Sequence, residues 1–360
     1  MCILNLIHNL SGGGAERQLG YLAPELVRMG HDVHIAYSKE GLYRPELPSV
    51  VLHQLKARSN YDPYLLWQLV RLIRRIKPDI IQTWVLQMDI LGGMAARLRH
   101  IPWIFREPSS AMAYVSNWKH PLRVKVGSCA IAIVSNSRGG DEYWKTNQPN
   151  SRRYIVPNGL PVQEIDRVIS DLPPGLVKSE VPIVLYVGRL ASGKGARKNL
   201  KYLFEALAYI IKKREVLGVI CGDGPQRSEL ETLRHKLGLD ECIKFTGYLP
   251  SASVWALMKK ASVFVSLSAY EGCPNTVMEA MACGCPLVLS DIPAHREILD
   301  ESCALFVDPL NIKQTADTIA LALYDRDASR VRALNAKQRT TEWTIARIAR
   351  IWENIYKDLL

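Results

Sequence analysis

The 360-residue sequence lacks several features that would place it in particular classes of protein. No apolar stretch reaches the roughly 20 residues that a membrane-spanning helix needs, so we expect no transmembrane helix. The first residues, MCILNLIHNLSGG, have neither a basic flank nor a small-residue cleavage site, and we interpret them as a first strand rather than a signal peptide. The eight cysteines are scattered, and the eight histidines show no ligand spacing. We therefore expect reduced thiols, a cytoplasmic location and no metal site.

Acidic residues are in deficit, and the deficit is uneven. The formal charge is +11, and residues 1–160 contain 20 Lys and Arg against 11 Asp and Glu, whereas residues 161–360 contain 26 against 24. A basic half is typical of a chain that meets an anionic partner, such as the inner face of a membrane, a phosphate-bearing acceptor or nucleic acid. A solubilising surface is the alternative explanation.

Short β-branched runs alternate with helical patterns along the whole chain. Continuous apolar strands of this kind favour a parallel sheet that is buried on both faces, and the alternation predicts a doubly wound α/β architecture. The predicted strands are Ile3–Ile7, Val33–Tyr37, Ile80–Trp84, Trp103–Phe105, Ala130–Val134, Ile183–Val187, Leu217–Ile220, Val263–Leu267 and Leu287–Leu289.

The length favours two domains, and the breaker cluster Pro173–Gly175 lies within the predicted boundary, Asn158–Ser179. We expect one domain over residues 1–160 and a second over residues 161–340. The remaining residues, 341–360, form a predicted closing helix that either crosses back to the first domain or packs on its own domain, the second.

The densest candidate site follows the strand Val263–Leu267. A helix is predicted from Asn275 to Gly284, and free amides at its start would bind a diphosphate. Glu279 lies one turn further along the same face, where it could bind a ribose diol, and Glu271 on the preceding loop would reach a transferred sugar. The plain alternative is an ordinary strand, loop and helix with exposed glutamates. The amides expected to bind are those of Asn275, Thr276 and Val277.

Candidate cations follow another strand of the second half. Arg189 lies just after the strand Ile183–Val187, and the loop that follows contains Lys194 and Lys198. Arg189 and one lysine could neutralise the charge on a departing diphosphate. For Arg197 in the same loop we expect a solvated side chain.

Glycines mark two further junctions between strand and helix. Gly13 and Gly14 follow the first strand, and Gly222 follows Leu217–Ile220. Glycine lets the backbone approach a phosphate or sugar closely, although Gly222 could equally belong to a simple turn. The first loop lacks the GxGxxG order of dinucleotide sites.

Other features are weaker. Residues 188–195 nearly form a P-loop, but Gly195 stands where the magnesium-binding Ser or Thr belongs. Asp325 and Asp327 have the DxD spacing of some metal-using transferases, yet we expect them to be solvated. The basic amphipathic helix Leu65–Lys77 either lies on anionic lipid or buries its apolar face in the core.

Taken together, these motifs resemble the retaining glycosyltransferases of family four, which have the two-domain GT-B fold. The resemblance covers nearly the whole chain, and its most specific element is the E-x7-E motif from Glu271 to Glu279. Supporting segments are Gly12–Gln18, Gly30–Ile35, Val156–Val162, Gly188–Leu190, Cys221–Leu230, Lys244–Pro250 and Ser290–Leu299.

The resemblance implies two Rossmann-like domains that face each other across a cleft. The second domain would bind a nucleotide-diphosphate sugar, with UDP-sugars as first candidates, and the first domain would bind a glycan or lipid-linked acceptor. Glu279 would hold the ribose, Glu271 the sugar, and Arg189 with a lysine the diphosphate, while the Gly13–Gly14 loop would complete the cleft. Transfer would retain the anomeric configuration and need no tightly bound metal.

The sequence also departs from the family pattern. The loop after Arg189 is expanded, so Lys194 and Lys198 compete for the diphosphate, and the alignment of the following residues favours Lys198. Where the family often has a histidine, this chain has Arg106 and Glu107, either of which could take that place near the sugar or acceptor.

Two other functions remain open from the sequence. One is a catalytically idle binder of sugar nucleotides or nucleic acid, although no interleaving of aromatic and basic residues marks a nucleic-acid groove. The other is an isomerase or hydrolase of sugar nucleotides on the same scaffold.

Overall fold

The computed structural model describes residues 1–10, 13–41, 47–57, 62–110, 119–169, 181–191 and 197–360. The chain divides into two compact units. The first comprises Met1–Gly159 together with Trp343–Leu360, and the second comprises Leu160–Glu342. Each unit has one parallel sheet flanked by helices, as the sequence predicts.

In the described part of the first unit, seven strands form a sheet in the order β3-β2-β1-β4-β5-β6-β7. Apolar side chains of the strands are buried in two clusters, one containing Ile3 and Ile7 and the other Leu4 and Leu6, so successive residues of β1 supply opposite faces. The strands are β1 (Cys2–Leu10), β2 (Asp32–Glu40), β3 (Val51–Gln54), β4 (Ile80–Trp84), β5 (Trp103–Glu107), β6 (Ala132–Ser135) and β7 (Arg153–Ile155).

Helices cover this sheet, and the basic amphipathic helix is one of them. Asp62 caps it by accepting a hydrogen bond from the amide of Tyr64, and Pro63 occupies its first turn. Its residues Leu65 and Leu69 are fully buried, so the apolar face is core, while the basic residues lie outside. The helices are α1 (Gly14–Arg28), α2 (Pro63–Ile76), α3 (Leu86–Leu98), α4 (Lys119–Gly127) and α5 (Arg138–Asn147).

Among the residues of the second unit that the structure describes, six strands form a sheet in the order β10-β9-β8-β11-β12-β13. The strands are β8 (Ile183–Val187), β9 (Leu217–Cys221), β10 (Ile243–Gly247), β11 (Val263–Ser266), β12 (Leu287–Ser290) and β13 (Leu305–Val307). The helices are α6 (Val162–Arg167), α7 (Leu200–Ile211), α8 (Arg227–Lys236), α9 (Ser251–Lys260), α10 (Asn275–Ala282), α11 (Pro293–Arg296), α12 (Ile312–Tyr324) and α13 (Arg326–Arg339).

The last helix, α14 (Ile345–Leu359), follows a short 3-10 helix at Thr340–Trp343 and belongs to the first unit. Trp352 and Tyr356 of α14 are fully buried in the cluster that also contains Ile3 and Trp84. The Tyr356 hydroxyl donates to the Gln82 side chain over 2.6 Å. Of the two docking surfaces that the sequence left open for this helix, the structure therefore has the one on the first unit.

All nine predicted strands form, with β6 shifted by one or two residues. The sequence analysis did not identify β3, β7, β10 and β13, and each of these lies at an edge of its sheet. These edge strands are only partly buried, and β3, β7 and β10 lack the continuous apolar run used for the prediction. β13 is apolar but only three residues long. Within the described ranges, no helix is both long enough and apolar enough to cross a bilayer.

Candidate functional site

The candidate donor site lies at the carboxyl ends of the two central strands of the second sheet. β8 and β11 are neighbours, and the chain leaves them toward opposite edges of the sheet, since β9 and β10 lie beyond β8 while β12 and β13 lie beyond β11. Ligands of open α/β sheets bind at such a switch point, outside the carboxyl ends of the strands. Arg189 and Lys198 follow β8, and Glu271 and α10 follow β11.

Glu271 is an acidic residue at this edge of the sheet, and several side chains contact its carboxylate. The Ser268 hydroxyl donates to its Oε1 over 2.7 Å, the Lys198 ammonium forms an ion pair with the same oxygen, and the Arg197 guanidinium is 3.9 Å from Oε2. Burial alone would raise the pKa of Glu271, but Lys198, Arg197 and Ser268 outweigh it and hold the pKa below its usual value. Glu271 is therefore ionised and charge-balanced in this structure.

The segment that carries Lys198 is fixed to the end of β11 by backbone and side-chain contacts. The Asn199 side chain donates to the carbonyl of Leu267 over 2.8 Å, and the amide of Ala269 donates to the carbonyl of Arg197 over 2.7 Å. Arg197 also lies over the ring of Tyr270, 5.0 Å from its centroid. The Arg197 side chain, expected to be solvated, is 33% exposed and also packs on the loop that contains Glu271.

Helix α10 begins at Asn275, as predicted, and its last helical residue is Ala282. Gly284, just beyond the C-cap Cys283, is in the left-handed region at φ 69°. One expectation about its start is wrong, because the amide of Asn275 donates to the carbonyl of Cys273 over 3.0 Å and is not free. Thr276 and Val277 lie in the first turn, where amides have no acceptor within a helix. Glu279 is on the same helix and is almost fully buried.

Arg189 is exposed directly after β8. Its neighbour Gly188 is in contact with Gly222, because a Cβ atom at Gly222 would lie 2.0 Å from the carbonyl oxygen of Gly188. Gly222 also has φ 134°, a conformation that side-chain-bearing residues rarely adopt. A glycine at position 222 is therefore needed for the packing of the turn beside Arg189.

In the first unit, Gly13 and Gly14 lie at the start of α1, after β1. Gly13 is the N-cap, and the carboxylate of Glu16 folds back over it, since a Cβ atom there would be 2.4 Å from Glu16 Oε2. β1 and β4 are the switch-point strands of this sheet. Val85, directly after β4, has φ 68° and ψ 153°, a conformation that is strained for a β-branched residue.

Arg106 is buried and makes structural contacts. Its guanidinium lies 5.5 Å from the ring centroid of Trp84 and 5.0 Å from that of Trp352, and it donates to the carbonyl of Val156 and the side chain of Asn158 over 3.0 Å each. This placement favours a role in joining α14 to the sheet over contact with a sugar.

Glu107 is also buried, in a charged network. It accepts hydrogen bonds from Arg123 over 2.8 Å and from the Trp144 indole over 2.9 Å. Arg123 in turn contacts Asp89 at 2.8 Å, and the Thr83 hydroxyl donates to Asp89 over 2.7 Å. The contacts of Glu107 therefore favour a structural role as well.

Lys194, the other candidate for the diphosphate, lies outside the described residues. Asp325, the first residue of the DxD pattern, caps α13 by accepting a hydrogen bond from the amide of Ala328 over 3.2 Å. Helix capping therefore explains an aspartate at this position.

The fold also brings together three possible metal ligands that no spacing in the sequence indicated. Ligand atoms of Cys2, Asp32 and His34 lie within 4.8 Å of one another. The two ring nitrogens of His34 are already engaged, Nε2 with Asp32 at 3.2 Å and Nδ1 with His53 at 2.9 Å. A metal ion at these residues would have to displace the contact with Asp32.

Sequence reasoning missed the residues behind Glu271. Ser268, Ser290 and His295 are fully buried and hydrogen-bonded to one another. The only signal for them was that Ser290 and His295 fall in one of the family-like segments.

Comparisons with known proteins agree with this geometry. The family described as "Glycosyltransferase Family 4" matches residues 12–164, and "Glycosyl transferases group 1" matches residues 169–339. An uncharacterized glycosyltransferase of Methanocaldococcus jannaschii is 29% identical over 69% of this chain, which spans only 62% of that relative. An N-acetylgalactosaminyltransferase of Campylobacter jejuni, named for an acceptor on diphospho-undecaprenol, is 25% identical over 96% of both chains. The crystal structure of Anabaena HepE with UDP and glucose superposes with a TM-score of 0.88 at 19% identity, covering 99% of this chain and 100% of that one.

Two Rossmann-like units with parallel sheets define a protein of the GT-B class, so the predicted fold class is confirmed. The chain belongs to the glycosyltransferases, with a family 4 domain in its first half and a group 1 domain in its second.

Proposed function

We propose that this chain transfers a sugar from a nucleotide-diphosphate sugar, with UDP-sugars as first candidates, to a glycan or lipid-linked acceptor, with retention of configuration. One observation carries the proposal. At the switch point of the second sheet, the ionised carboxylate of Glu271 lies against Lys198 and beside the start of α10. UDP and glucose in the Anabaena protein, and the lipid-linked acceptor of the Campylobacter enzyme, support these substrate classes.

In the proposed donor complex the second unit binds the nucleotide sugar and the first binds the acceptor. Arg189 and Lys198 hold the diphosphate together with the first-turn amides of Thr276 and Val277. Glu279 accepts hydrogen bonds from the ribose, and Glu271 accepts them from the sugar. In the first unit, the absence of side chains in the Gly13–Gly14 loop allows its backbone to approach a ligand closely.

Catalysis in this proposal is mainly stabilisation of the leaving group. As the bond from the sugar to the diphosphate breaks, negative charge grows on the departing phosphate oxygens. Two cations beside the diphosphate then stabilise the transition state more than the ground state. We propose that Arg189 and Lys198 supply this charge, so that the reaction needs no tightly bound metal.

The test measures turnover of UDP-glucose, UDP-N-acetylglucosamine, GDP-mannose and ADP-glucose by the full chain. For the donor that is used, Arg189→Ala, Lys198→Ala and Glu271→Gln should each lower kcat by about 100-fold or more, which is the effect of removing one charge-stabilising group. Lys201→Ala is the control, since Lys201 is exposed on α7 and paired with Glu205 at 4.0 Å. Normal turnover in Glu271→Gln and Lys198→Ala would overturn the proposed site.

A separate variant tests ribose recognition. Glu279→Ala should weaken donor binding by about 10- to 100-fold, because hydrogen bonds to a charged group contribute about 1.5–3 kcal/mol. The loss should be smaller for a donor that lacks one ribose hydroxyl. Equal affinities of the wild type and Glu279→Ala would show that the ribose binds elsewhere.

We also propose that helix α2 contacts an anionic membrane, where a lipid-linked acceptor would be located. Its outer face carries Tyr64 and Trp67, each 51% exposed and stacked at 5.3 Å, and Arg71 lies 5.4 Å from the Trp67 ring centroid. Exposed aromatic and basic side chains on one helix suit the interface of a bilayer with anionic lipid.

Sedimentation with vesicles tests this contact. The double variant Trp67→Ser, Arg71→Ser should reduce binding to phosphatidylglycerol vesicles by at least tenfold. The matched control is Tyr209→Ser, Lys213→Ser, since this pair is also exposed, with the Lys213 ammonium 4.5 Å from the Tyr209 ring, but lies in the second unit. Equal losses in both variants would count against α2 as the membrane-binding surface.

A further inference from the structure

A buried hydrogen-bonded network made of Ser268, Ser290 and His295 lies behind Glu271. His295 Nδ1 is 2.8 Å from the carbonyl oxygen of Ser290, and the Ser290 hydroxyl donates to the carbonyl of Ser268 over 2.6 Å. The Ser268 hydroxyl then donates to Glu271 over 2.7 Å. The network thus connects α11, the end of β12 and the loop after β11 to one carboxylate oxygen.

The contacts fix the protonation of the histidine. A carbonyl oxygen can only accept, so Nδ1 of His295 carries the proton that it donates to Ser290. Burial lowers the pKa of His295, which keeps the ring neutral at pH 7. The other nitrogen, Nε2, is buried and has no hydrogen-bond partner among the described residues, so Nδ1 makes the contacts that hold this ring.

We infer that His295 is a positioning residue for the donor sugar, acting through Ser290 and Ser268 on Glu271. This inference rests on the proposed function, in which Glu271 binds the sugar. Glu271 accepts one bond from the partly exposed Lys198 ammonium and one from the Ser268 hydroxyl, and only the second comes from a fully buried residue. A carboxylate that must discriminate sugar hydroxyls needs its rotamer fixed by such a supporting contact.

The ligand itself can separate positioning from general structural damage. UDP carries the ribose and diphosphate but no transferable sugar. UDP-glucose and the other sugar nucleotides named above carry the ribose, the diphosphate and the sugar. Loss of the network should therefore impair turnover of the sugar nucleotide and leave the affinity for the matching free nucleoside diphosphate unchanged.

The experiment compares His295→Leu, His295→Asn and Ser268→Ala. The substrate is whichever of the four sugar nucleotides named above the wild type turns over, and the binding ligand is the corresponding nucleoside diphosphate. His295→Leu and Ser268→Ala should each lower kcat/KM by about 10- to 100-fold, the effect of one hydrogen bond to a charged group. Asparagine places an amide N–H near the position of Nδ1, so His295→Asn should recover most of the loss. Affinity for the nucleoside diphosphate, measured by calorimetry, should stay within about twofold in all three.

The matched control is Ser329→Ala in helix α13 of the same unit. This change also removes a buried serine hydroxyl, which donates to the carbonyl of Ala322 in α12 over 2.9 Å. The control should keep normal turnover. If His295→Leu does not fold, Ser268→Ala and His295→Asn still decide the question.

Three results would overturn the inference. These are normal kcat/KM in Ser268→Ala, equal losses in His295→Asn and His295→Leu, or a parallel loss of nucleoside diphosphate affinity. Failure of the proposed function has a different signature, because Glu271→Gln would then turn over the donor normally. A damaged Glu271→Gln beside normal network variants would refute the positioning role alone.

Discussion

Gly222 shows how one residue without a side chain can shape the candidate donor site. It follows β9 at φ 134°, and its amide donates to the carbonyl of Gly247 over 2.9 Å. The amide of Gly188 donates to the carbonyl of Cys221 over 2.9 Å, so the turns after β8 and β9 are in direct contact. The sequence suggested that Gly222 approaches a ligand or only makes a turn, whereas the structure shows backbone packing beside Arg189.

Gly222→Ala should therefore lower both stability and turnover. The added Cβ would lie 2.0 Å from the Gly188 carbonyl oxygen, and we expect a loss of about 2–5 kcal/mol from strain and overpacking. The displaced turn should also move Arg189 and reduce kcat. Urea unfolding and donor turnover are the measurements.

The control for this change is Gly238→Ala. Gly238 also has positive φ, 68°, but a Cβ atom there would meet nothing within 4 Å. We expect a loss of only about 1–2 kcal/mol, the ordinary cost of the left-handed region. A similar small loss in Gly222→Ala would show that the backbone contact with Gly188 is easily relaxed.

Among the elements, β4, β5, α3 and α4 meet through a buried charged network. Arg123 of α4 joins Asp89 of α3 to Glu107 of β5, and lies 4.5 Å from the ring centroid of Phe105. Burial raises the pKa of Asp89 to about 6, although Arg123 and Thr83 act in the opposite direction. None of this was expected from the sequence, because buried charge is set by which helices cover the strands.

Arg123→Met should destabilise the first unit by about 3–5 kcal/mol, because it leaves two buried carboxylates without their cation. The loss should shrink as the pH falls, since protonation removes the buried charge. Thermal unfolding of the wild type and variant between pH 4 and pH 7 is the measurement.

The raised pKa of Asp89 determines how its contribution to folding stability changes with pH. Between the unfolded value near 4 and the folded value of about 6, the folded state binds more protons, so its contribution to stability falls as the pH rises through this window. Arg152→Met is the control, since Arg152 and Asp358 are each 51% exposed and such pairs contribute about 1 kcal/mol at most. Equal losses in Arg123→Met and Arg152→Met would contradict a buried network.

At the scale of the whole molecule, the chain returns to its first unit through α14. Trp352 and Tyr356 complete the buried cluster there, and Arg106 lies between Trp352 and Trp84. The apolar spacing of residues 341–360 predicted a helix that needs a partner, but the pattern of one helix contains no information about which sheet it will meet.

A chain that ends at Glu342 should lose cooperative folding of the first unit and keep that of the second. Removing Trp352 alone, as Trp352→Ala, should cost about 3–5 kcal/mol. Calorimetry with dye binding to exposed apolar surface is the measurement. The comparison is Leu334→Ala in the second unit, where a side chain 58% exposed should contribute about 0.5 kcal/mol at most. An unchanged first-unit transition in the shortened chain would contradict this role of α14.

The sequence by itself determined the central strands, the alternation that produces two parallel sheets, and the position of the E-x7-E segment between β11 and the end of α10. These follow from local patterns, because apolar runs, glycines and proline act within a few residues of themselves. The tertiary structure alone decided that Lys198 pairs with Glu271, that Arg106 and Glu107 are buried, that Ser268 and His295 lie behind the site, and that α14 packs on the first unit. Each of these depends on residues that are distant in the sequence and become neighbours only when the sheets and their helices pack.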